Sequence, residues 1–295
     1  MEHSYPITVF TPTFNRAYII ENLYRSLQRQ TCKDFEWVVV DDGSSDNTGE
    51  LFAKWAAENA GFPIRYVRQE NGGKCRAINH GLELARGRLF FTVDSDDYLT
   101  DDAVEKVLRW EAELPADQKF CAVSGNLGTA PDETPNTPLP GEYFDGNAFD
   151  RYGAVDGERA LIFYTDIHRK YLYPGFPGEN FLTEAIAWNR MAHDGYRIRY
   201  YNDIIWIYEY KEDGLTKAGA SIYLRNPRGY GLFLKEKMEF LDMGFREKWD
   251  LWVSYIINVG DRYPTKVVAE AIGLPVIVVA MLKALRKLKR VLKGG

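Results

Sequence analysis

The sequence predicts an α/β protein with an open, mostly parallel, Rossmann-like sheet flanked by helices and a helical C-terminal extension. Three observations carry this. Between Ile7 and about Asp97, short β-branched or aromatic runs alternate with segments of helical period, the pattern of parallel βαβ units. Acidic and polar clusters follow directly on two of those runs, where open parallel sheets hold their ligands. The last part of the chain, residues 216–295, reads as mainly helical.

Taken in order, residues 7–10, 36–40, 64–67 and 89–93 read as strands. Between them Tyr18, Ile19, Leu23 and Leu27 share one helical face, and Leu51, Phe52 and Trp55 lie on a second helix that Asp46 or Asn47 would cap. A third helix should run over about residues 74–85, a fourth should follow Asp101, and a strand at 120–123 completes a first half, residues 1–125. Residues 127–157 hold Pro131, Pro135, Pro138 and Pro140 among glycines and asparagines, so they predict a long irregular excursion. After it, residues 160–173 read as strand and turn, 183–194 as a helix closed by Gly195, and 198–210 as paired strands. The expected organisation is one catalytic-sized domain, residues 1–215, with halves 1–125 and 126–215, and an extension over 216–295.

Composition excludes several classes. With 295 residues and 45% apolar content the chain can bury a substantial core, so it is neither disordered nor fibrous. A formal net charge of -5 excludes a nucleic-acid footprint over the whole protein. Cys32, Cys75 and Cys121 are odd in number and form no C-x-x-C, which indicates neither a disulfide framework nor a structural zinc and fits a reducing cytoplasm. His3, His80, His168 and His193 do not recur at ligand spacing. Residues 1–6 lack the basic-then-apolar pattern of a cleaved export signal. The apolar run at 275–282 is far shorter than the roughly 20 residues that span a bilayer. It leads into Lys283, Arg286, Lys287, Lys289, Arg290 and Lys293 without one acid. As a helix, this tail gathers Val278, Met281, Leu282, Leu285, Leu288 and Leu292 on one side. Such a helix at 275–293 either lies on the anionic inner face of a membrane, packs on its own protein, or binds a partner.

The chemistry sits at strand ends. Asp94, Asp96 and Asp97 place three carboxylates within four residues, which suits Mn²⁺ or Mg²⁺ between protein and a diphosphate, or else an acidic loop that opens the next helix. Asp41 and Asp42 could accept from a base N–H or ribose hydroxyls, or shape a turn through Gly43; the two roles are compatible. Asn71-Gly72-Gly73-Lys74 precedes a helix whose first N–H groups could meet a phosphate with Lys74, or it is plain turn chemistry.

These residues together resemble glycosyltransferase family 2, the large inverting family with the GT-A fold. The likeness runs in order through Thr11-Pro12-Thr13-Phe14-Asn15-Arg16, then Val40 to Thr48, then Asn71-Gly72-Gly73-Lys74 with Ala77 and Asn79, then Gly87 and Asp94-Ser95-Asp96-Asp97. It implies a nucleoside diphosphate sugar donor, most commonly of uridine, with Thr11, Pro12 and Asp42 lining the nucleotide pocket and Asp41 near. It also implies that Asp94 and Asp96 form the D-x-D, Asp96 approaching the metal with Asp97 close by, and that Lys74 sits near the donor. Phe14, Asn15, Arg16, Asn71, Gly72 and Ser95 join the donor side on the same resemblance.

Inverting transfer also needs a carboxylate to take the acceptor's proton. In the family this base usually belongs to an acidic pair opening a helix, about eleven residues ahead of a glycine. Counting back from Gly195 gives Glu184, which follows Thr183 rather than a second acid; Glu184 could instead only complement the helix dipole. Glu179 is the competitor. The family often has a mobile lid near residues 208–216, making Lys211 and Lys217 candidates for phosphate contact, although a simple surface turn fits equally. Tyr164, Tyr171, Tyr173, Phe176 and Trp188 either shape an acceptor cleft or pack in the core. The implied function is sugar transfer to a glycan or lipid-linked acceptor for a cell-surface polysaccharide, in the cytoplasm or at the inner face of the cell membrane. Alternatives are a nucleotide-sugar-binding or scaffold protein without transferase activity, or a nucleotidyltransferase. The latter normally has a basic Gly-rich loop where this chain has residues 11–15.

Overall fold

Strand β1 (Tyr5–Thr13) frames the molecule. In the computed structural model, which describes residues 3–209 and 219–293, it is buried from Ile7 onward. β2 (Phe35–Asp41) and β4 (Gly87–Thr92) flank it in parallel, and β3 (Ile64–Arg68) adds in parallel outside β2. Strand alternation sends Ile7, Val9, Trp37, Val39, Leu89 and Phe91 to one face. There they meet Leu23, Tyr24 and Leu27 of α1 (Glu21–Arg29) and Phe52 and Trp55 of α2 (Thr48–Ala57). Tyr24 stacks on Trp55 at 4.3 Å between ring centres, and Trp37 meets Phe52 at 5.2 Å. Each such side chain contributes roughly 2–3 kcal/mol by leaving water. α3 (Lys74–Leu84) covers the opposite face, where a Cβ on Gly81 would lie 2.2 Å from the Phe10 ring; only glycine lets helix and strand approach so closely.

Tyr18 departs from its expected place on the buried face: it is 63% exposed, because it precedes α1 in an irregular turn where helical periodicity does not apply. Asp46, rather than Asn47, supplies the cap of α2, accepting from the Thr48 N–H at 3.1 Å and its hydroxyl at 2.6 Å.

Beyond β4 the sheet turns mixed. β8 (Arg159–Tyr164) runs antiparallel to β4, β6 (Phe120–Gly128) antiparallel to β8, and β9 (Arg197–Ile207) parallel to β6. The two-residue β5 (Tyr98–Leu99) and β7 (Tyr143–Gly146) each pair antiparallel with β9, giving nine strands among the described residues. α4 (Ala103–Ala112) packs on β6 and β9. The residues expected as paired strands form one strand, β9. Asn202 and Asp203 interrupt its apolar pattern like a turn, but the β6–β9 ladder absorbs them through register shifts. The 127–157 excursion holds structure of its own: β7, and a 3₁₀ turn (Ala148–Tyr152) closed by a reciprocal Asn147–Asp150 cap. A short helix α5 (Thr165–His168) follows β8, and α6 (Ala185–His193) precedes Gly195, whose φ of 81° suits glycine at a helix end.

The chain divides into two compact units, Met1–Tyr173 with Arg190–Glu212, and Pro174–Asn189 with Asp213–Gly295. The second unit holds α7 (Ala220–Arg225), α8 (Pro227–Phe240), α9 (Phe245–Val259), α10 (Thr265–Ile272) and α11 (Val276–Lys293). Its own core gathers Leu234, Met238, Tyr255, Ile256, Val259, Val268 and Val279. Among the described residues no single helix is long and apolar enough to cross a membrane, and α10 meets α11 at a bend of 117°. α11 turns Val279 and Leu282 to this core and leaves Ile277, Met281 and Leu285 outward. The side chains of Leu288, Lys289, Arg290, Leu292 and Lys293 lie outside the described part.

Candidate active site

Register brings the predicted motifs to one edge. Thr13 pairs with Asp41 across β1 and β2, and Asp41 with Arg68 across β2 and β3, so the loops leaving these strands are neighbours. Asp41 is buried and accepts from the Ser44 N–H at 2.7 Å and from the Tyr66 hydroxyl, which makes it the residue that shapes the loop. Its carboxylate and burial push the Tyr66 phenol well above its usual range, burial being the larger cause. Asp42, 5% exposed, accepts from Gln69 Nε2 at 2.7 Å, the Gly72 N–H at 2.9 Å and the Gly73 N–H at 2.7 Å. Its backbone carbonyl takes Asn71 Nδ2 at 2.8 Å. The Gly72 and Gly73 amides ahead of α3 are therefore directed at a protein carboxylate, and Gly73 reaches that arrangement at φ 89°.

The segment after β1 is tied to the same loop. Thr11 is buried and its hydroxyl accepts from Trp37 Nε1 at 3.0 Å, while Phe14 stands 46% exposed. Pro12 is buried between them. Asn15 adopts φ 53°, a left-handed conformation that Asn tolerates; its N–H donates to Ser44 Oγ and its side-chain oxygen accepts from the Ser45 N–H, both at 2.8 Å. Asp46 adds a bond from the Ala17 N–H at 3.0 Å.

The acidic cluster after β4 meets two cations. Lys74, the first residue of α3, sets Nζ 2.7 Å from one Asp94 oxygen and 3.0 Å from the other. Arg16 Nε lies 3.8 Å from Asp96 Oδ2. Ser95 is buried between the two acids. Asp97 turns away and accepts from Trp206 Nε1, at the end of β9, at 2.8 Å. Burial first, then the Asp94 charge, raise the Asp96 carboxyl and push Asp97 up to about 8. Among the described residues no three acids, histidines or cysteines converge as a formed metal centre. Asp97 Oδ2 takes the indole N–H, which leaves its other carboxylate oxygen, Oδ1, uncommitted by that bond. Asp94 and Asp96 are hard oxygen donors, and the Asp94 charge opposes ionisation of Asp96, a donor set that fits a divalent cation.

Three residues of this edge escaped the sequence reading: Tyr66, Gln69 and Trp206. Gln69 follows β3 as Asp42 follows β2, and that matching position was the one available signal. The two candidate bases, Glu179 and Glu184, lie in the second unit. Glu179 has its side chain 4% exposed and accepts from the Arg228 and Gly229 N–H groups at 2.9 Å each, which closes the N-terminus of α8. Glu184 is half-buried just ahead of α6, its carbonyl accepting from the Ala187 N–H at 3.2 Å. Lys211 and Lys217 lie outside the described residues. Of the aromatics, Tyr173 is buried, and Tyr171 donates to Asp194 at 2.6 Å.

The profile of Glycosyl transferase family 2 matches residues 8–167, more than half the chain. Among curated sequences, the putative teichuronic acid biosynthesis glycosyltransferase TuaG of Bacillus subtilis is 33% identical over 131 residues, 44% of this chain and 50% of that protein. The match to the first three such relatives covers 29%, 16% and 13% of their own length. Among solved structures, residues 1–349 of S. aureus TarS in complex with UDP-GlcNAc align with a TM-score of 0.60 at 19% identity, covering 88% of this chain and 82% of that one. The mannosyltransferase PcManGT of Pyrobaculum calidifontis, in complex with GDP-Man and Mn²⁺, aligns with a TM-score of 0.56 at 19% identity, covering 96% and 81%. These likenesses establish the GT-A fold.

Proposed function

Because the chain belongs to glycosyl transferase family 2, we propose that it moves a sugar, with inversion, from a nucleoside diphosphate sugar to a saccharide or lipid-linked acceptor in cell-surface polysaccharide assembly. The observation that carries this reading is the meeting of Asp94 and Asp96 with Lys74 and Arg16 at the carboxyl edge of the parallel strands. Charges of both signs on one strand edge are what a pyrophosphate and its counter-ion require. UDP-GlcNAc in TarS supports a uridine donor, and teichuronic acid synthesis in TuaG supports a polysaccharide product. We assign residues 1–215 to the catalytic domain and 216–295 to an extension, and the reaction to the cytoplasmic side of the cell membrane.

In the proposed reaction the acceptor oxygen attacks the anomeric carbon while the bond from that carbon to the diphosphate breaks and its electron pair leaves with the diphosphate. The acceptor's proton passes to a carboxylate, for which Glu184 is the choice; the two backbone N–H groups on Glu179 argue that its carboxylate serves α8 instead. Asp94 and Asp96, with Asp97 close by, would hold Mn²⁺ or Mg²⁺, whose positive charge would offset that of the departing diphosphate. Lys74 and Arg16 would exchange their carboxylate partners for diphosphate oxygens.

The test pairs donor binding with turnover. UDP and GDP, each with and without Mn²⁺, are screened by thermal shift on the wild type and on Glu184→Gln. One nucleotide should raise the melting temperature in both proteins, with Mn²⁺ increasing the shift, while the variant loses about 10²–10⁴ in transfer rate. Undiminished turnover in Glu184→Gln would remove it as base, and no nucleotide shift under any condition would favour a chain without transferase activity.

A further inference from the structure

The second unit carries a basic cleft that the transfer chemistry does not use. A cavity of about 520 Å³ opens between the α9–α10 connection and α11, lined by Asp261, Arg262, Tyr263, Lys283, Arg286 and Lys287. Four cations thus face one carboxylate. Two of them are built into the wall: Lys283 Nζ donates to the Tyr263 carbonyl and Thr265 Oγ1 at 3.2 Å each, and Arg286 bonds the Ile257 carbonyl and Asp261 Oδ2, the latter at 3.2 Å. Arg262 and Lys287 stand at the exposed rim. The wall residues keep further N–H donors, since an ammonium has three and a guanidinium five.

Apolar surface runs along both helices that border the cleft. On α11, Ile277, Met281 and Leu285 recur every fourth residue and are 67%, 59% and 54% exposed. Ile257 of α9, 42% exposed, is joined to α11 through the Arg286 bond to its carbonyl, and Trp249 (41%) and Phe245 (75%) precede it on α9 by eight and twelve residues. Beyond Glu270 the sequence has no acid and six lysines or arginines. Exposed apolar side chains on one flank of α11, with a cationic hollow on the other, suit the boundary between acyl chains and anionic headgroups.

We propose that α11 seats on an anionic phospholipid bilayer, Ile277, Met281 and Leu285 entering the acyl boundary while the cleft on the helix's other flank takes a headgroup phosphate. The assignment extends the membrane-side location given above but depends on no transferase activity. Its test reads binding alone, so loss of turnover and loss of membrane contact remain separate results.

The full chain is sedimented with phosphatidylcholine vesicles with or without phosphatidylglycerol. Binding is expected only with the anionic lipid, weakened by salt. Met281→Asp/Leu285→Asp should lower the partition coefficient at least tenfold, and Arg262→Glu/Lys287→Glu by about tenfold or more, since each basic group near the surface counts. All four positions are exposed, so folding is expected to persist and is checked by circular dichroism. Equal sedimentation of wild type and both variants would overturn the proposal. So would failure to sediment while glycerol phosphate binds by calorimetry, which would make the cleft a soluble-anion site. A wild-type dimer by light scattering that both Asp substitutions dissociate would assign the face to a second copy and overturn it equally.

Discussion

At the scale of single residues, the acids of this protein divide between shaping the backbone and facing outward at the carboxyl edge of the parallel strands. Asp41 and Asp42 look interchangeable in sequence, yet one closes its own turn while the other reaches across to the Gly72 and Gly73 amides. Position along the strand decides: Asp41 is the last paired residue of β2, and Asp42 is the first beyond it. A residue unrelated to the site offers a cleaner titration. His168 is fully buried, its Nδ1 has no hydrogen-bond partner among the described residues, and its Nε2 lies 3.4 Å from the Tyr173 hydroxyl. Phe163 and Phe90 close around the ring at 4.9 and 5.9 Å. Burial lowers its pKa from 6.5 to about 3. Between those values the unfolded chain binds a proton that the folded chain refuses, so stability is fully present above pH 6.5 and falls as the pH drops toward 3. The slope from this group approaches about 1.4 kcal/mol per pH unit. Urea midpoints at pH 7, 6 and 5 should fall in the wild type and stay nearly level in His168→Phe. Parallel slopes in the two proteins would show that other groups govern the acid response.

At the scale of elements, the helices and parallel strands were legible because each carries its own period. β1 to β4 and α1 to α3 fall where runs and repeats place them, to within a few residues at each end. What lacked a period was lost: four-residue β7 inside a proline-rich stretch, and β9, whose Asn202–Asp203 pair imitates a turn that long-range pairing overrides. Glu179 shows how an element's end can be held from a distance. It precedes α8 by some fifty residues in sequence, yet its carboxylate receives two of that helix's first N–H groups and lies 3.6 Å from the Arg228 guanidinium. Glu179→Gln retains an acceptor oxygen but loses the charge that favours a helix N-terminus, so it should cost about 1–2 kcal/mol of stability with donor binding unchanged. A chemical-denaturation midpoint measures this. An unaltered midpoint together with abolished transfer would instead return Glu179 to the role of base.

At the scale of the whole molecule, two cores are built by different means: a mixed sheet with aromatic packing in the first unit, helices closing on Leu234, Tyr255 and Val268 in the second. The ordered acidic and glycine motifs were readable because parallel strands must deliver their ends to a common edge. Trp206 was not, because a lone tryptophan some 110 residues from its carboxylate partner leaves no pattern, and only the fold brings β9 to Asp97. If the donor belongs to the strand edge of the first unit, its binding should be visible there in hydrogen exchange. With UDP and Mn²⁺ at about a hundred times the dissociation constant, stabilisation by mass action reaches about 2.7 kcal/mol. Amides that exchange only through openings incompatible with binding should then slow by about a hundredfold. Peptides covering residues 9–16, 40–46, 69–76 and 92–98 should show the slowing, while those spanning Leu234 to Met238 and Tyr255 to Val259 exchange as before. Protection confined to the helices of the second unit would move the donor away from Asp42, Lys74 and Asp96, and the shared strand edge would lose its role.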